Sequence, residues 1–301
     1  MMSNLFQKYR YYILFSLVVA VALIWLPFIV FGQNKGLKAW FLDVGQGDAI
    51  FLDFADGNQI LIDGGPDREI LRRLGGAMPF YDRHIDLVIL THPHKDHIFG
   101  LIEVVKMYQV DKIILPSIDF DSSFYDEFLR LVKSKNITLE YAQEGSVVKI
   151  GEYARFDFLS GPKNENKLNG FSSEFESFGE KGMTLNDLSL VSRFVFGKTS
   201  FLFMADAGIE IEKKLVGRYD VGADVLKVGH HGSRYSTSEE FLKEVAPGYS
   251  VIQVGEGNRY GHPTQQTLSR LSIINTKILR NDLDGNVLFD GDGVNLKLQT
   301  K

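Results

Sequence analysis

The spacing of apolar and polar positions predicts short strands and helices along most of the chain. Residues 39–44, 49–54 and 59–63 have the composition of strands, and Asp56-Gly57-Asn58 predicts a hairpin turn before the third. A continuous apolar run at 85–90 is typical of a strand that is buried on both faces. The first third of the domain is therefore predicted to be rich in β-structure.

Beyond this point, strand and helix patterns alternate. Helices are predicted at 67–74, 98–107, 124–133, 209–216, 239–245 and 264–271, and strands at 112–115, 138–141, 188–196, 199–204, 224–228 and 250–254. The polar stretch 161–186 predicts a long loop, which is uncommon in a compact domain unless it is functional or mobile. Both halves mix strands and helices, so we expect two sheets packed face to face with helices outside.

The N-terminal region differs from the rest, because residues 11–31 are apolar and carry no charge. About 20 apolar residues cross a bilayer as a helix, so this run predicts a transmembrane anchor. Residues 1–10 would then be a tail and 32–37 a linker. The alternative, the apolar part of a cleaved signal peptide, should have only about 7–15 residues and a small-residue cleavage site.

Charges beside this run give a weak prediction of topology. Lys8 and Arg10 precede it, and Lys35 and Lys38 follow it, so the charge difference is nearly even. The free amino terminus adds positive charge on the N-terminal side. We therefore expect a single-pass protein of the cell membrane whose domain, residues 38–301, lies outside the cytoplasm.

Composition narrows the class of protein. The 301-residue chain has the apolar and charged content of a globular protein, a net charge of −5 and no cysteine. The acidic balance argues against a strongly basic nucleic-acid surface, although it does not exclude a local basic groove. The lack of cysteine excludes disulfides, Cys-ligated zinc and a cysteine nucleophile.

Three histidines and an aspartate stand together directly after the apolar run at 85–90. They are His92, His94, Asp96 and His97. In an extended segment His92 and His94 point the same way, and Asp96 and His97 would enter the next helix. Imidazole suits Zn, Mn or Fe, and carboxylate suits harder ions. The spacing predicts a metal site, with room for two ions about 3.5–4 Å apart, rather than an ordinary polar loop.

Other strand ends also carry potential ligands. Asp206 follows the apolar residues 201–204, where its alternative role is a helix N-cap. His230 and His231 follow the strand pattern at 224–228, and His262 follows the one at 250–254 after a loop. A single histidine in such a place is often an ordinary surface residue. Three such strand ends together predict that these residues meet at one edge of the fold and form a functional site there.

The His92-x-His94-x-Asp96-His97 block resembles the metal motif of the metallo-β-lactamase superfamily. More closely, the chain from about 38 to 299 resembles the C-terminal hydrolase domain of ComEC/Rec2 competence proteins. The motifs that carry this resemblance are residues 41–49, 62–65, 90–97, 186–191 and 226–233. The resemblance implies an α/β (α+β) fold, the four-layer αββα sandwich. Full-length members also have a multi-helix membrane channel, which one predicted span cannot form.

The resemblance also implies roles for the candidate ligands. It assigns His92 and His94 to one ion, Asp96 and His97 to a second, Asp206 to both, and His230 or His231 to the second. Asp63 would orient ligands of the histidine block, with a simple strand-end turn as its alternative role. The implied cofactors are two divalent metal ions, Zn or Mn.

One departure from the family pattern concerns the first ion. Many members have a further histidine before the bridging aspartate, but none lies here between His97 and His230. Asn186, Asp187 or Ser189 are the candidate substitutes. Oxygen ligands of this kind would favour Mn over Zn.

The predicted function is a membrane-anchored, metal-dependent hydrolase. We expect a phosphodiesterase or nuclease that cleaves DNA, single-stranded DNA being one candidate substrate, by attack of a metal-bound hydroxide. Asp96 or Asp206 would orient the water, and His262 would contact the phosphate or protonate the leaving oxygen. No protein partner is predicted.

Substrate contacts are predicted beside the histidine pair. Lys227, Ser233 and Arg234 are candidate substrate-binding residues, with ordinary surface charge as the alternative for the two cations. Two other functions remain open, because fold does not fix substrate. One is hydrolysis of another envelope ester or small phosphodiester, such as phosphocholine. The other is an inactive metal-binding module.

Overall fold

The strands of the described residues belong mostly to two large sheets. The structure is a computed structural model that describes residues 2–31, 36–118, 120–162, 171–172 and 184–299. The strands are β1 (Leu37–Phe41), β2 (Ile50–Phe54), β3 (Gln59–Ile62), β4 (His84–Ile89), β5 (Gln109–Pro116), β6 (Phe120–Asp121), β7 (Thr138–Ala142), β8 (Val147–Ile150), β9 (Ala154–Ser160), β10 (Phe171–Ser172), β11 (Val191–Phe196), β12 (Thr199–Phe203), β13 (Val225–Lys227), β14 (Tyr249–Ile252), β15 (Lys277–Arg280), β16 (Val287–Gly291) and β17 (Leu296–Gln299). Most of the loop predicted at 161–186 lies outside the described residues.

Helices connect many of these strands. They are α1 (Met2–Phe31), α2 (Glu69–Ala77), α3 (Lys95–Met107), α4 (Ser123–Ser134), α5 (Ile209–Leu215), α6 (Glu239–Val245), α7 (Gln265–Ile273) and α8 (Asn281–Asp284), with 3-10 turns at Leu185–Leu188 and Gly229–Gly232. The helices predicted after each strand pattern are thus present, with ends shifted by a few residues.

Two large sheets organise the domain. Sheet I has eight strands in the order β17-β16-β1-β2-β3-β4-β5-β7, and sheet II has seven in the order β15-β14-β13-β12-β11-β9-β8. In sheet I, β3, β4, β5 and β7 are parallel neighbours. In sheet II, β12, β13, β14 and β15 are parallel neighbours. Each sheet therefore has a parallel half whose carboxyl ends lie along one edge.

Three apolar layers hold the sheets and helices together. Between the sheets, phenylalanines such as Phe41, Phe156 and Phe203 are fully or almost fully buried. Residues of α2, α3 and α4 pack on the outer face of sheet I. Residues of α5, α6 and α7 pack on the outer face of sheet II. The prediction of two packed sheets with helices outside is confirmed.

The N-terminal helix α1 covers the run that predicted a membrane anchor. Its 30 residues precede the sandwich in the chain. Among the residues that the structure describes, no helix combines the length and the apolar character that crossing a bilayer requires.

Candidate metal site

The candidate ligands lie at carboxyl ends of parallel strands in both sheets. In sheet I, Asp63 follows β3 and the histidine block follows β4, and these two strands are parallel neighbours. In sheet II, Asp206 follows β12 and the His230-His231 pair follows β13, again parallel neighbours. This topology explains why residues far apart in sequence meet at one edge.

Backbone strain is concentrated at these strand ends. Asp63, Ala205, His230 and His231 have φ values of 57°, 47°, 48° and 51°. Residues other than glycine rarely adopt this left-handed conformation, which costs of order 1–3 kcal/mol each and persists where the surroundings enforce it. Part of this strain therefore lies at the site, since His231 would hold a metal and Asp63 would orient a ligand.

The first ligand group contains His92, His94 and Asp206. His92 Nε2 lies 3.0 Å from His94 Nδ1 and 3.7 Å from Asp206 Oδ2. His92 and Asp206 are buried, and His94 is partly exposed. Two imidazoles and a carboxylate oxygen thus converge from opposite sheets on one point.

The second ligand group contains Asp96, His97, Asp206 and His231. His97 Nε2 lies 3.5 Å from Asp206 Oδ1, and His231 Nε2 lies 3.4 Å from that same atom. His231 Nε2 is also 3.4 Å from Asp96 Oδ2. Tetrahedral ligands at about 2.0–2.2 Å from zinc are separated by roughly 3.3–3.6 Å, so these distances suit one ion.

Unpartnered atoms support the same interpretation. Within the described part of the chain, His97 Nε2, His231 Nε2 and Asp206 Oδ1 are buried without a hydrogen-bond partner. Leaving buried polar atoms unpaired is costly, and native proteins do so rarely. A cation among them would satisfy all three atoms. The residues present therefore fit two divalent ions, with the two oxygens of Asp206 facing different groups.

Hydrogen bonds from neighbouring residues fix the orientation of the imidazoles. Asp63 Oδ2 accepts from His97 Nδ1 at 2.7 Å and from Thr91 Oγ1 at 2.6 Å. Thr91 Oγ1 in turn lies 3.1 Å from His92 Nδ1. His231 Nδ1 donates to the Gln253 carbonyl at 2.8 Å. These contacts point the opposite nitrogen of His97 and His231 into the site, as metal ligation requires.

Burial and charge divide the histidines into two types. Burial lowers the pKa of His92 well below its ordinary value, and it also lowers that of His94. Burial opposes the charged form of His97 and His231 too, but nearby carboxylates outweigh it. Asp206 and Asp63 raise the pKa of His97 well above the ordinary value. Asp206 and Asp48 raise the pKa of His231 to about 10.

The two adjacent histidines occupy different places. His231 belongs to the second ligand group, whereas His230 is in neither group of the described residues. His230 Nε2 lies 3.5 Å from Asn186 Nδ2, and its ring centroid lies 5.7 Å from that of His262. The geometry favours His231 as the ligand, a choice that the sequence left open.

The candidate substitutes for the missing histidine approach the histidine block. Leu190 N donates to the Thr91 carbonyl at 3.0 Å, which brings the 184–190 segment beside His92. The Asp187 carboxylate accepts from Thr184 N and Oγ1 and caps the 3-10 turn. Asn186 Oδ1 and Ser189 Oγ, by contrast, are buried without a partner among the described residues. Asn186 and Ser189 are therefore the better candidates.

The predicted substrate contacts need correction. Lys227 is fully buried, where it pairs with Asp48 and donates to the Ala205 carbonyl at 2.8 Å, so it cannot reach a substrate. Ser233 is also buried, and its carbonyl accepts from Thr267 Oγ1. The strand register and tight turn after β13 place both side chains inside. Arg234 is exposed, with its guanidinium 4.8 Å from the Tyr235 ring centroid.

Asp48 is a residue that the sequence analysis did not single out. Its buried carboxylate pairs with Lys227, and Oδ1 lies 3.4 Å from His231 Nδ1. Gly47 before it adopts a φ of 149°, and a Cβ there would lie 2.2 Å from the Asp96 carbonyl oxygen. The polar Gln46-Gly47-Asp48 segment inside an apolar strand pattern was the available signal.

A cleft of about 800 Å³ opens beside the ligand groups. His262 lies on its wall and is half-buried. Burial, followed by the neighbouring His230 and His231, lowers the pKa of His262 to about 4. The neutral ring suits a hydrogen bond to a substrate oxygen better than donation of a proton from an imidazolium.

The fold, the ligand groups and the order of the motifs together define the class of protein. Residues 42–256 match the profile of the Metallo-beta-lactamase superfamily, and the chain belongs to that superfamily. The class is thus that of the superfamily's hydrolases. The chain is similar to Competence protein ComA of Neisseria gonorrhoeae, with 39% identity over 111 residues, an alignment that covers 36% of this chain and 16% of that protein.

Two curated relatives illustrate that relationship. The chain is 31% identical over 211 residues to ComE operon protein 3 of Bacillus subtilis. The alignment covers 69% of this chain and 25% of that protein. The chain is 27% identical over 255 residues to Recombination protein 2 of Haemophilus influenzae. That alignment covers 82% of this chain and 28% of the relative. The chain therefore spans about a quarter of the length of these relatives.

A solved structure gives the same fold. The metallo-beta-lactamase fold protein YhfI from Bacillus subtilis superposes with a TM-score of 0.55 at 14% identity, over 85% of this chain and 100% of that one. At this identity the match establishes the fold alone.

Proposed function

We propose that this protein is a metal-dependent phosphodiesterase that cleaves DNA. The observation that carries the proposal is the pair of ligand groups joined by Asp206, whose two oxygens face His92 at 3.7 Å and His97 at 3.5 Å. Paired metal ions suit in-line displacement at phosphorus, because they stabilise both the attacking and the leaving oxygen. The similarity to Competence protein ComA and to Recombination protein 2 supports DNA as the substrate.

Several residues would contribute to the reaction. Divalent ions held by the two groups would lower the pKa of a water molecule and stabilise charge on a phosphoryl oxygen. Asp96, which is partly exposed at the cleft, would accept a hydrogen bond from that water. Neutral His262 and the Asn186 amide, which both line the cleft, would position the phosphate. Asp63 keeps His97 oriented throughout.

Turnover tests the proposal. The 301-residue protein, in detergent and loaded with Mn or Zn, is given single-stranded DNA, double-stranded DNA and bis-p-nitrophenyl phosphate. We expect His94→Ala and Asp96→Asn to lower kcat/KM by at least about 100-fold, since both lose a contact at the reacting centre. His84→Ala is the matched control, because His84 contacts Asp111 outside the site and should leave turnover unchanged.

Two results would count against it. If the protein binds metal but cleaves none of the three substrates, the phosphodiesterase assignment is wrong. If it cleaves a phosphocholine ester but not DNA, the site is retained and the substrate is a small envelope ester.

We further propose that α1 attaches the protein to a membrane. Apolar side chains from Ile13 to Leu23 are exposed to solvent in the structure, and large exposed apolar surfaces mark interaction sites. We expect the 301-residue protein to sediment with membranes and to require detergent for release. Recovery in the soluble fraction after lysis without detergent would contradict this attachment.

A further inference from the structure

Two exposed tyrosines border the cleft from separate loops of sheet II. Tyr235 follows the His230-His231 pair, and Tyr260 precedes His262. Both line the cleft, and they are 62% and 53% exposed. A large, rigid ring placed at the rim of a cleft offers contact area at little entropic cost. The Tyr260 ring also lies stacked beside the His262 ring, with a centroid distance of 5.9 Å and an interplanar angle of 21°.

Each tyrosine is accompanied by an arginine that precedes it in the sequence. The Arg234 guanidinium lies 4.8 Å from the Tyr235 ring centroid, and that of Arg259 lies 5.0 Å from the Tyr260 centroid. Arg259 also donates to the Tyr260 hydroxyl at 2.9 Å. Two loops thus present the same arrangement, a planar ring for stacking and a guanidinium that can bind phosphate.

The charges of the cleft are mixed. Lys95 and Lys213 line it, but Lys213 is paired with Glu210 at 2.8 Å, and Asp187 lines it as well. Binding a nucleic acid through its backbone alone requires many phosphate contacts. The cleft is too weakly basic for that, so contacts to the bases have to contribute to recognition.

We infer that Tyr235 and Tyr260 are specificity residues that stack on unpaired bases next to the phosphate at the metal groups. The inference rests on the proposed function and deepens it. Each stacked base would strengthen recognition by roughly 5-fold to 100-fold. Bases inside a duplex are already stacked on each other and cannot occupy these positions. Selectivity for a strand with free bases would therefore reside in these two rings.

Comparing a normal strand with a strand that lacks bases tests the inference. The 301-residue protein, loaded with Mn, is given a labelled thymidine oligonucleotide and an abasic oligonucleotide of equal length. The wild-type kcat/KM should be at least roughly 25-fold higher for the strand with bases, mainly through KM. The ratio of kcat/KM for the strand with bases to kcat/KM for the abasic strand should fall towards one in the Tyr235→Leu/Tyr260→Leu double variant. The Tyr235→Phe/Tyr260→Phe double variant should retain the wild-type ratio.

Tyr141→Leu is the matched control, since Tyr141 is 56% exposed on β7 and does not line the cleft. It should keep the wild-type ratio. Retention of that ratio in the Leu double variant, or equal cleavage of both strands by the wild type, overturns the inference and leaves the proposed function intact. Cleavage of neither strand by metal-loaded protein overturns the proposed function, and the inference with it.

Discussion

At the scale of single residues, His97 and His231 differ from the other ligands in their protonation. Carboxylates outweigh the effect of burial and hold the pKa of His97 well above the ordinary value and that of His231 at about 10. Burial instead keeps His92 and His94 neutral. The second ligand group must therefore lose protons before its imidazoles can bind a cation, whereas the first group need not.

This difference predicts the stoichiometry of proton release. Filling both groups at pH 7 should release about two protons, one each from His97 and His231. The apparent affinity of the second group should rise with pH, because protons compete with the metal. Calorimetric titration of the protein with metal, in buffers of different protonation enthalpy, measures the number of protons released. Absence of proton release between pH 6 and 8 would contradict the assignment.

The buried Asp48–Lys227 pair gives a prediction about stability. Lys227→Met leaves the Asp48 carboxylate buried beside His231 without its main partner. Breaking a buried ion pair from one side costs about 3–5 kcal/mol. We expect a loss of this size in the free energy of unfolding, measured with urea. Asp48→Asn in the same chain should recover part of the loss.

Lys149→Met provides the control for that experiment. Lys149 also lies on a strand of sheet II, β8, but its side chain is exposed. Surface substitutions usually stay within about 0.5 kcal/mol. Equal losses in the two lysine variants would mean that the buried pair does not stabilise the fold.

At the scale of elements, close contact between α3 and the loop after β3 positions Asp96 and His97. A Cβ at Gly100 would lie 1.8 Å from the Gly64 carbonyl oxygen, so Gly100→Ala must push the helix away. We expect it to lower the free energy of unfolding by about 1–3 kcal/mol and to weaken metal binding. Thermal unfolding with and without metal measures both effects.

Gly75→Ala is the matched helical control. Gly75 lies in α2 with open space around its Cβ position. Replacing an exposed helical glycine by alanine should stabilise the protein by about 0.5–1 kcal/mol. We therefore expect Gly100→Ala to lower the free energy of unfolding and Gly75→Ala to raise it. A higher free energy of unfolding in both variants would show that helix propensity, and not contact with Gly64, governs the effect at Gly100.

Much of the element order could be predicted from the sequence, because buried strands such as β4 and β12 are runs of apolar residues between turns. Strands β8 and β9 were missed. Strand β8 has only four residues, and although three of them are apolar, all four are exposed or only partly buried, so no buried apolar run marks the strand. The place of Lys227 was also not predictable. A lysine at a strand end normally indicates a surface, and only its contact with Asp48 from the other sheet explains its burial.

At the scale of the whole molecule, the site joins the two sheets. His92, His94, Asp96 and His97 follow β4 of sheet I, while Asp206 and His231 follow strands of sheet II. The strand-end pattern predicted that these residues meet at one edge, and the family resemblance implied their division between two ions. The structure brings them together in two groups. The spacing did not distinguish His230 from His231, because only the left-handed backbone at both residues decides which ring enters the site.

We propose that each of the two groups would hold one divalent ion and that Asp206 would contribute an oxygen to each. Metal content per chain, measured by mass spectrometry after dialysis, tests it with variants of single histidines. We expect two ions in the wild type and in His230→Ala, and one ion in His94→Ala and in His231→Ala. Loss of an ion from His230→Ala but not from His231→Ala, or a wild type that retains no metal, would contradict the account.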